Sequence, residues 1–128
     1  MSATVTALPF PGRAARIGLW SLRGLLAVLF IAAGIMKLMA TPFEVESFAH
    51  FGYARWFMYA IGVAELAGGL ALLSRGLVQH GILGMAVVMM GAVGSHWRAG
   101  DGFASAAPAL VVLGLLLILA AAQRRQPG

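Results

Sequence analysis

The sequence has 128 residues, of which 61% are hydrophobic and 10% are charged, with no cysteine and a formal net charge of +5. Soluble domains are only roughly 45–50% apolar, so this composition excludes an ordinary soluble protein and predicts one embedded in a membrane. The lack of cysteine excludes disulfides, thiolate metal ligands and cysteine-ligated iron–sulfur clusters. The basic residues are scattered among apolar segments, so we expect them to orient the chain in the lipid bilayer and not to bind nucleic acid.

Four apolar segments follow a basic N-terminal tail, residues 1–16, which has no helical periodicity and is predicted to be disordered. A span of about 20 residues crosses a hydrocarbon core of about 30 Å. The predicted fold is therefore all-α, an antiparallel four-helix transmembrane bundle over residues 17–122, followed by a short basic tail over 123–128. The expected spans cover about 17–40, 54–73, 77–95 and 104–122.

The first span contains two cations, Arg23 and Lys37. Steps of four and three residues place both on one helix face, which also carries Gly34. Two hypotheses explain them: the side chains extend to opposite membrane interfaces, or their common face packs inside the bundle. Alignment on one face favours the second.

The connection over residues 41–53 is predicted to be a loop or short helix in the membrane interface, because it is rich in aromatic residues. Its two carboxylates, Glu44 and Glu46, are expected to form a solvated face. We predict no metal site here, since no well-spaced His or Asp completes a ligand set.

The second span carries Glu65 near its midpoint. A carboxylate at the centre of a spanning helix costs roughly 3 kcal/mol, so this residue predicts a functional site or a buried partner. The neighbouring glycines Gly62, Gly68 and Gly69 are small, and two of them share the face of Glu65. Together with Gly34, they are predicted to let helices pack closely.

The third span begins near His80 and ends near His96. Paired axial haem ligands lie at one depth on different helices, so this arrangement argues against haem. The methionines Met85 and Met89 are expected to pack in the core, although a pocket for a flat apolar ligand is the alternative. The fourth span has no ionisable residue and is interpreted as scaffold.

Cations are unequally distributed between the predicted loops and ends. Six arginines fall on the side of the termini, against three cations on the other side. The positive-inside rule therefore predicts that both termini are cytoplasmic in a multi-pass protein of the inner (plasma) membrane.

Counting residues along ideal helices gives the depth of each side chain in the membrane. By this count Glu65 lies within roughly one helical turn of the depth of Arg23, which predicts an Arg23–Glu65 ion pair. Lys37 and His96 would form a second polar layer towards the outer side. Such a polar column could fix helix register only. Alternatively, Glu65 with Lys37 or His96 lines a pocket in which a quinone-like head group exchanges protons.

These residues resemble the DoxX-like family of small four-helix membrane proteins over about residues 17–122. The resemblance lies in Arg23, Phe30, Gly34 and Lys37, the Phe51-Gly52-Tyr53 turn with Trp56, the run from Gly62 to Gly69, and Gly91-Ala92 with His96. It implies a heterogeneous family in which some members are subunits of thiosulfate:quinone or quinol oxidoreductase systems. Other members associate with redox defence complexes, and a related eukaryotic branch acts as a chaperone for receptor assembly.

The function expected from the residues and the resemblance is that of an accessory subunit of a quinone-linked membrane oxidoreductase, not a self-sufficient enzyme. It would bind a quinone or another redox protein. The alternative is a non-catalytic assembly factor, chaperone or anchor that holds another membrane protein on its Gly62/Gly69 face. A third possibility, a proton or small-solute pathway, would require a homo-oligomer, because four helices enclose little space.

Overall fold

The computed structural model describes residues 12–125, and within that range every regular element is a helix. This confirms the all-α prediction. The helix α1 begins at Arg13, so residues 13–16, which we expected in a disordered tail, are helical; alanine and arginine are good helix formers. The rest of the predicted tails, residues 1–11 and 126–128, lies outside the described residues. The helices are α1 (Arg13–Leu38), α2 (Pro42–Phe51), α3 (Arg55–Leu72), α4 (Val78–Ala99) and α5 (Phe103–Arg125).

Three helices, α1, α4 and α5, are long and apolar enough to cross a membrane. The remaining predicted span, the second along the chain, corresponds to α3, which has 18 residues and is therefore about 27 Å long. It is the shortest of the four helices that match predicted spans, and it carries Arg55 at its start and Glu65 within it. Besides α2, the structure thus has three helices long and apolar enough to span a membrane and the shorter α3, which packs between α1 and α4.

The helices α1 and α3 touch through their backbones. A Cβ atom added at Gly34 would lie 2.6 Å from the carbonyl oxygen of Gly62, and one added at Gly69 would lie 3.0 Å from the carbonyl oxygen of Ala27. The contacts therefore run in opposite chain directions along the two helices. On the other side of α3, Gly68 receives the side chain of Met85 from α4. Glycine is required at the backbone contacts of Gly34 and Gly69, because a larger side chain there would separate α1 from α3.

The apolar core fills the end of the molecule away from α2. It includes Leu26 and Phe30 of α1, Leu72 of α3, Met85 of α4 and Leu116 of α5. The buried Met85 agrees with the expected packing role, whereas Met89 faces a cavity. The connection between the first two spans is a helix, α2, which ends at Gly52 in the left-handed conformation that glycine adopts without strain.

Candidate functional site

A cavity of about 930 Å³ lies between the helices, and all five helices contribute to its wall. Its volume is within the range of about 300–1,000 Å³ that is typical of ligand pockets. Most of its wall is apolar, and polar side chains lie at its two ends. Five aromatic side chains line it: Phe43, Phe48, Phe51, Tyr53 and Phe57.

One end of the cavity holds a buried cluster of three charged side chains, which we call the deep cluster: Lys37, Glu44 and Glu65. The Nζ atom of Lys37 lies 2.7 Å from Oε1 of Glu65 and 3.3 Å from Oε2 of Glu44. At 2.7 Å the Glu65 contact is a close ion pair, in which the ammonium of Lys37 is the partner of Oε1. The deep cluster is therefore a buried group in which one ammonium lies between two carboxyl groups, and all three side chains border the cavity.

The predicted Arg23–Glu65 pair is wrong. The Nε atom of Arg23 donates to the carbonyl oxygen of Leu72 at 2.8 Å, and its terminal nitrogen donates to that of Ser74 at 3.3 Å. The last carbonyls of a helix lack partners within it, and the forked guanidinium of arginine reaches the carbonyl of Leu72 together with that of Ser74 in the turn after α3. Arg23 also lies 3.9 Å from the centre of the Trp20 ring. It therefore binds the end of α3 and does not line the cavity.

The expectation for Glu44 is also wrong, because this carboxylate is buried against Lys37. Its neighbour Glu46 is exposed, as expected. The sequence does contain a pattern that distinguishes the buried Glu44 from the exposed Glu46. Glu44, Phe48 and Phe51 follow one another at steps of four and three residues, which places them on one face of α2, and all three line the cavity.

The opposite end of the cavity holds two imidazoles that share one carboxylate. Asp101 accepts a hydrogen bond from Nε2 of His50 at 2.6 Å and another from Nδ1 of His96 at 2.8 Å. His96 thus lines the same cavity as Lys37 and Glu65 but bonds to Asp101 instead of joining Lys37. The contact between His50 and Asp101 was not predicted, because the two residues are 51 positions apart and carry no local signal of it.

Between the two ends, Tyr53 and Ser95 join the α2–α3 turn to α4. Their hydroxyl oxygens are 2.6 Å apart, and the Ser95 hydroxyl also donates to the carbonyl oxygen of Gly91 at 2.8 Å. Since a serine hydroxyl has only one hydrogen, Tyr53 is the donor to Ser95. Arg98 supports the turn by donating to the carbonyl oxygen of Phe51 at 2.7 Å.

Hydrogen bonds from His50 and His96 hold the pKa of Asp101 below its ordinary value. An aspartate whose pKa is lowered by folding stabilises the protein above its unfolded pKa of about 3.9, and this contribution disappears as the pH falls through the lowered value. We therefore expect Asp101→Asn to reduce the decline in thermal stability of the detergent-purified protein below about pH 4. Glu46→Gln is the matched control and should decline as the wild type does. If the stability of Asp101→Asn also declines as much as that of the wild type, the role of Asp101 is contradicted.

Residues 21–121 match the model of the DoxX-like family. The chain belongs to this family. The match confirms the resemblance and includes both ends of the cavity. Among curated proteins, the DoxX-like chain is similar to the uncharacterized protein YdgD of Bacillus subtilis (strain 168), with 34% identity over 93 residues, which are 69% of this chain and 82% of YdgD. No solved structure matches it significantly. The family and the three apolar helices together identify a membrane protein.

Proposed function

We propose that the chain forms an antiparallel four-helix transmembrane bundle in the inner membrane, with both termini cytoplasmic. The contacts between Gly34 and Gly62 and between Gly69 and Ala27 support opposite directions for α1 and α3. The excess of arginines in the connections and ends on the side of the termini supports the orientation. In this arrangement α2 lies in the outer interface, and the cavity is reached from the outer leaflet.

We propose that this DoxX-like protein is an accessory subunit of a quinone-linked membrane oxidoreductase and that its cavity binds the ring of a quinone. The observation that supports this function most directly is the meeting of Lys37, Glu65 and His96 around one aromatic-walled cavity. Aromatic side chains favour stacking on a flat ring, and the two polar ends offer partners for oxygens on its opposite edges. Phe48 and Tyr53 would hold the ring, while Lys37 and Glu65 would fix its depth.

A bound quinone supplies two-electron redox chemistry, and the protein's own residues supply binding and orientation. A chain without cysteine has no thiol redox chemistry of its own. We therefore propose that a partner redox protein exchanges electrons with the ligand. The alternative role in assembly was expected to use the Gly62/Gly69 face of α3. That face packs against α1, so it is not free to bind another protein.

Direct binding tests the proposed function. We expect the protein in lipid nanodiscs to bind a short-chain benzoquinone saturably, with one site per chain. Ala92 lines the cavity, so Ala92→Trp should place an indole ring inside it, obstruct the ligand and weaken binding by at least tenfold. Ala60 is exposed on α3 outside the cavity, and Ala60→Trp is the matched control. Absence of saturable binding, or equal binding by the two tryptophan variants, would contradict the proposal.

A further inference from the structure

The helix α1 ends beside the middle of α3. A Cβ atom added at Gly62 would lie 3.0 Å from the Cβ atom of Lys37, which belongs to the last turn of α1. Residues 55–61 of α3 precede that level and correspond to about 10 Å of helix beyond the end of α1. The short helix α2 packs against this part of α3, where Val45 and Met58 line one crevice. At this end of the bundle, α2 therefore takes the place of α1.

This replacement leaves a gap on the side of α5. Towards the other end of the bundle, α1 packs against α5, and Phe30 and Leu116 share the apolar core. In the described part of the chain, by contrast, no Cα atom of α2 lies within 8 Å of one in α5. The bundle thus has a lateral cleft between α2 and α5.

The cavity extends into this cleft. Phe43 of α2 lines the cavity although it is 68% exposed, and Pro108 of α5 lines it and is exposed too. Ala109 and Val112 continue the α5 edge and are half-buried. Ser105 adds a hydroxyl one turn nearer the start of α5. The four apolar side chains make this edge suitable for hydrocarbon and unsuitable for a hydrated group.

Other sides of the cavity are closed by bonded or packed elements. At its imidazole end, Asp101 accepts a hydrogen bond from His50 at 2.6 Å, and Arg98 donates to the carbonyl oxygen of Phe51 at 2.7 Å. These contacts tie the end of α2 to α4 and to the α4–α5 connection. Val87 of α4 is exposed at another edge of the cavity, but α4 packs against both of its neighbours, α3 and α5. The cleft between α2 and α5 is not closed in this way.

From this geometry we infer that the ligand carries a long apolar chain, enters sideways from the outer leaflet and leaves its chain in the cleft between α2 and α5. This inference rests on the proposed function and adds the class of its ligand, a quinone that resides in the lipid bilayer. A chain directed elsewhere would meet the hydrogen-bonded imidazole end or the charged deep cluster, where hydrocarbon displaces polar partners at a cost. In the cleft, the chain contacts apolar side chains and lipid.

The chain in the cleft orients the ring. Lipid acyl chains are as apolar as the side chains of the cleft, so moving the chain from one to the other changes its free energy little. The cleft instead determines which edge of the ring points into the cavity. The ring edge opposite the chain then faces the polar groups of the interior. The position of the chain, and not the overall affinity, is therefore the quantity to measure.

Photolabelling of the wild-type protein in nanodiscs locates the chain. The probe is a benzoquinone whose long saturated chain carries a diazirine near its middle. A phospholipid with the same diazirine chain gives the background for residues that face lipid. We expect mass spectrometry to find Phe43 and residues 108–112 labelled at least fivefold more by the quinone probe than by the phospholipid. An excess of short-chain benzoquinone should remove this difference, because it occupies the place of the ring.

A tryptophan in the cleft provides a second measurement. Ala109→Trp should obstruct the chain from the α5 edge. We expect the affinity for the chain-bearing quinone, relative to that for the short-chain quinone, to fall at least tenfold. Ala121 is exposed on the same helix and lies outside the cavity wall, so Ala121→Trp is the matched control and should leave this ratio unchanged. An unchanged ratio in Ala109→Trp would contradict a chain in the cleft.

The labelling pattern separates the inference from the proposed function. Labelling that short-chain benzoquinone removes, but that falls on Val87 or Asp101, would overturn the inference while the proposed function stands. Labelling of the cleft only to the level of the phospholipid, with saturable binding of short-chain benzoquinone, would have the same meaning. If short-chain benzoquinone neither binds saturably nor competes with the probe at any position, the proposed function itself is overturned. If Ala109→Trp does not fold, labelling of the wild-type protein still decides.

Discussion

Replacement of Lys37 by methionine is expected to lower the free energy of unfolding by about 3–5 kcal/mol. Lys37 is the only cation within ion-pair distance of Glu44 and Glu65 in the described part of the chain. Methionine preserves most of the length and apolar contact of the lysine side chain but removes its charge. Two carboxylates would then be buried side by side without a counter-ion, which costs more than the intact cluster gains from its attraction.

Reversible unfolding in mixed detergent micelles measures this effect. A triple variant that combines Lys37→Met with Glu44→Gln and Glu65→Gln should recover most of the lost stability, since it removes the unpaired charges along with the cation. Glu46→Gln should match the wild type, because Glu46 is exposed. A loss below about 1 kcal/mol in the single variant, or equal losses in the single and triple variants, would show that the ion pairs contribute little.

The sequence was enough to predict the apolar spans, the burial of Glu65 and an ion pair at Glu65. It was not enough to predict which cation pairs with Glu65. Counting residues gives the depth of a side chain to within about a turn, and Arg23 and Lys37 are both candidates at that precision. The choice depends on where α3 ends. The carbonyl oxygens of Leu72, at its C-terminus, and of Ser74, in the turn that follows, bind the guanidinium of Arg23, which leaves Lys37 for the carboxylates.

The imidazole end of the cavity was beyond sequence analysis for a different reason. His50 and Asp101 meet only because α2 packs beside the α4–α5 connection. That connection contains two glycines in the left-handed conformation, Gly100 and Gly102, on either side of Asp101. Local patterns report on one helix face at a time, so they do not reveal a contact that depends on two separate turns. The α2 face with Glu44 and Phe48 was readable in principle, because it lies within one helix.

Gly34→Ala is expected to lower the free energy of unfolding by about 1–3 kcal/mol, although it adds a single methyl group. The new Cβ would lie 2.6 Å from the carbonyl oxygen of Gly62 and 2.8 Å from the amide nitrogen of Leu66. Both atoms belong to the backbone of α3, so no side-chain rotation relieves the overlap and the two helices must separate.

The control for this change lies on the same helix. A Cβ added at Gly24 meets nothing within 4 Å, so Gly24→Ala should leave stability unchanged or raise it through better helix propensity. Gly34 also lies one turn before Lys37, and separation of α1 from α3 would pull Lys37 away from Glu65. We therefore expect Gly34→Ala, measured under conditions in which it remains folded, to weaken ligand binding as well as stability. Loss of stability with unchanged ligand affinity would contradict the expected link between α1–α3 packing and binding, whereas equal stability of the two alanine variants would contradict the close contact of α1 with α3.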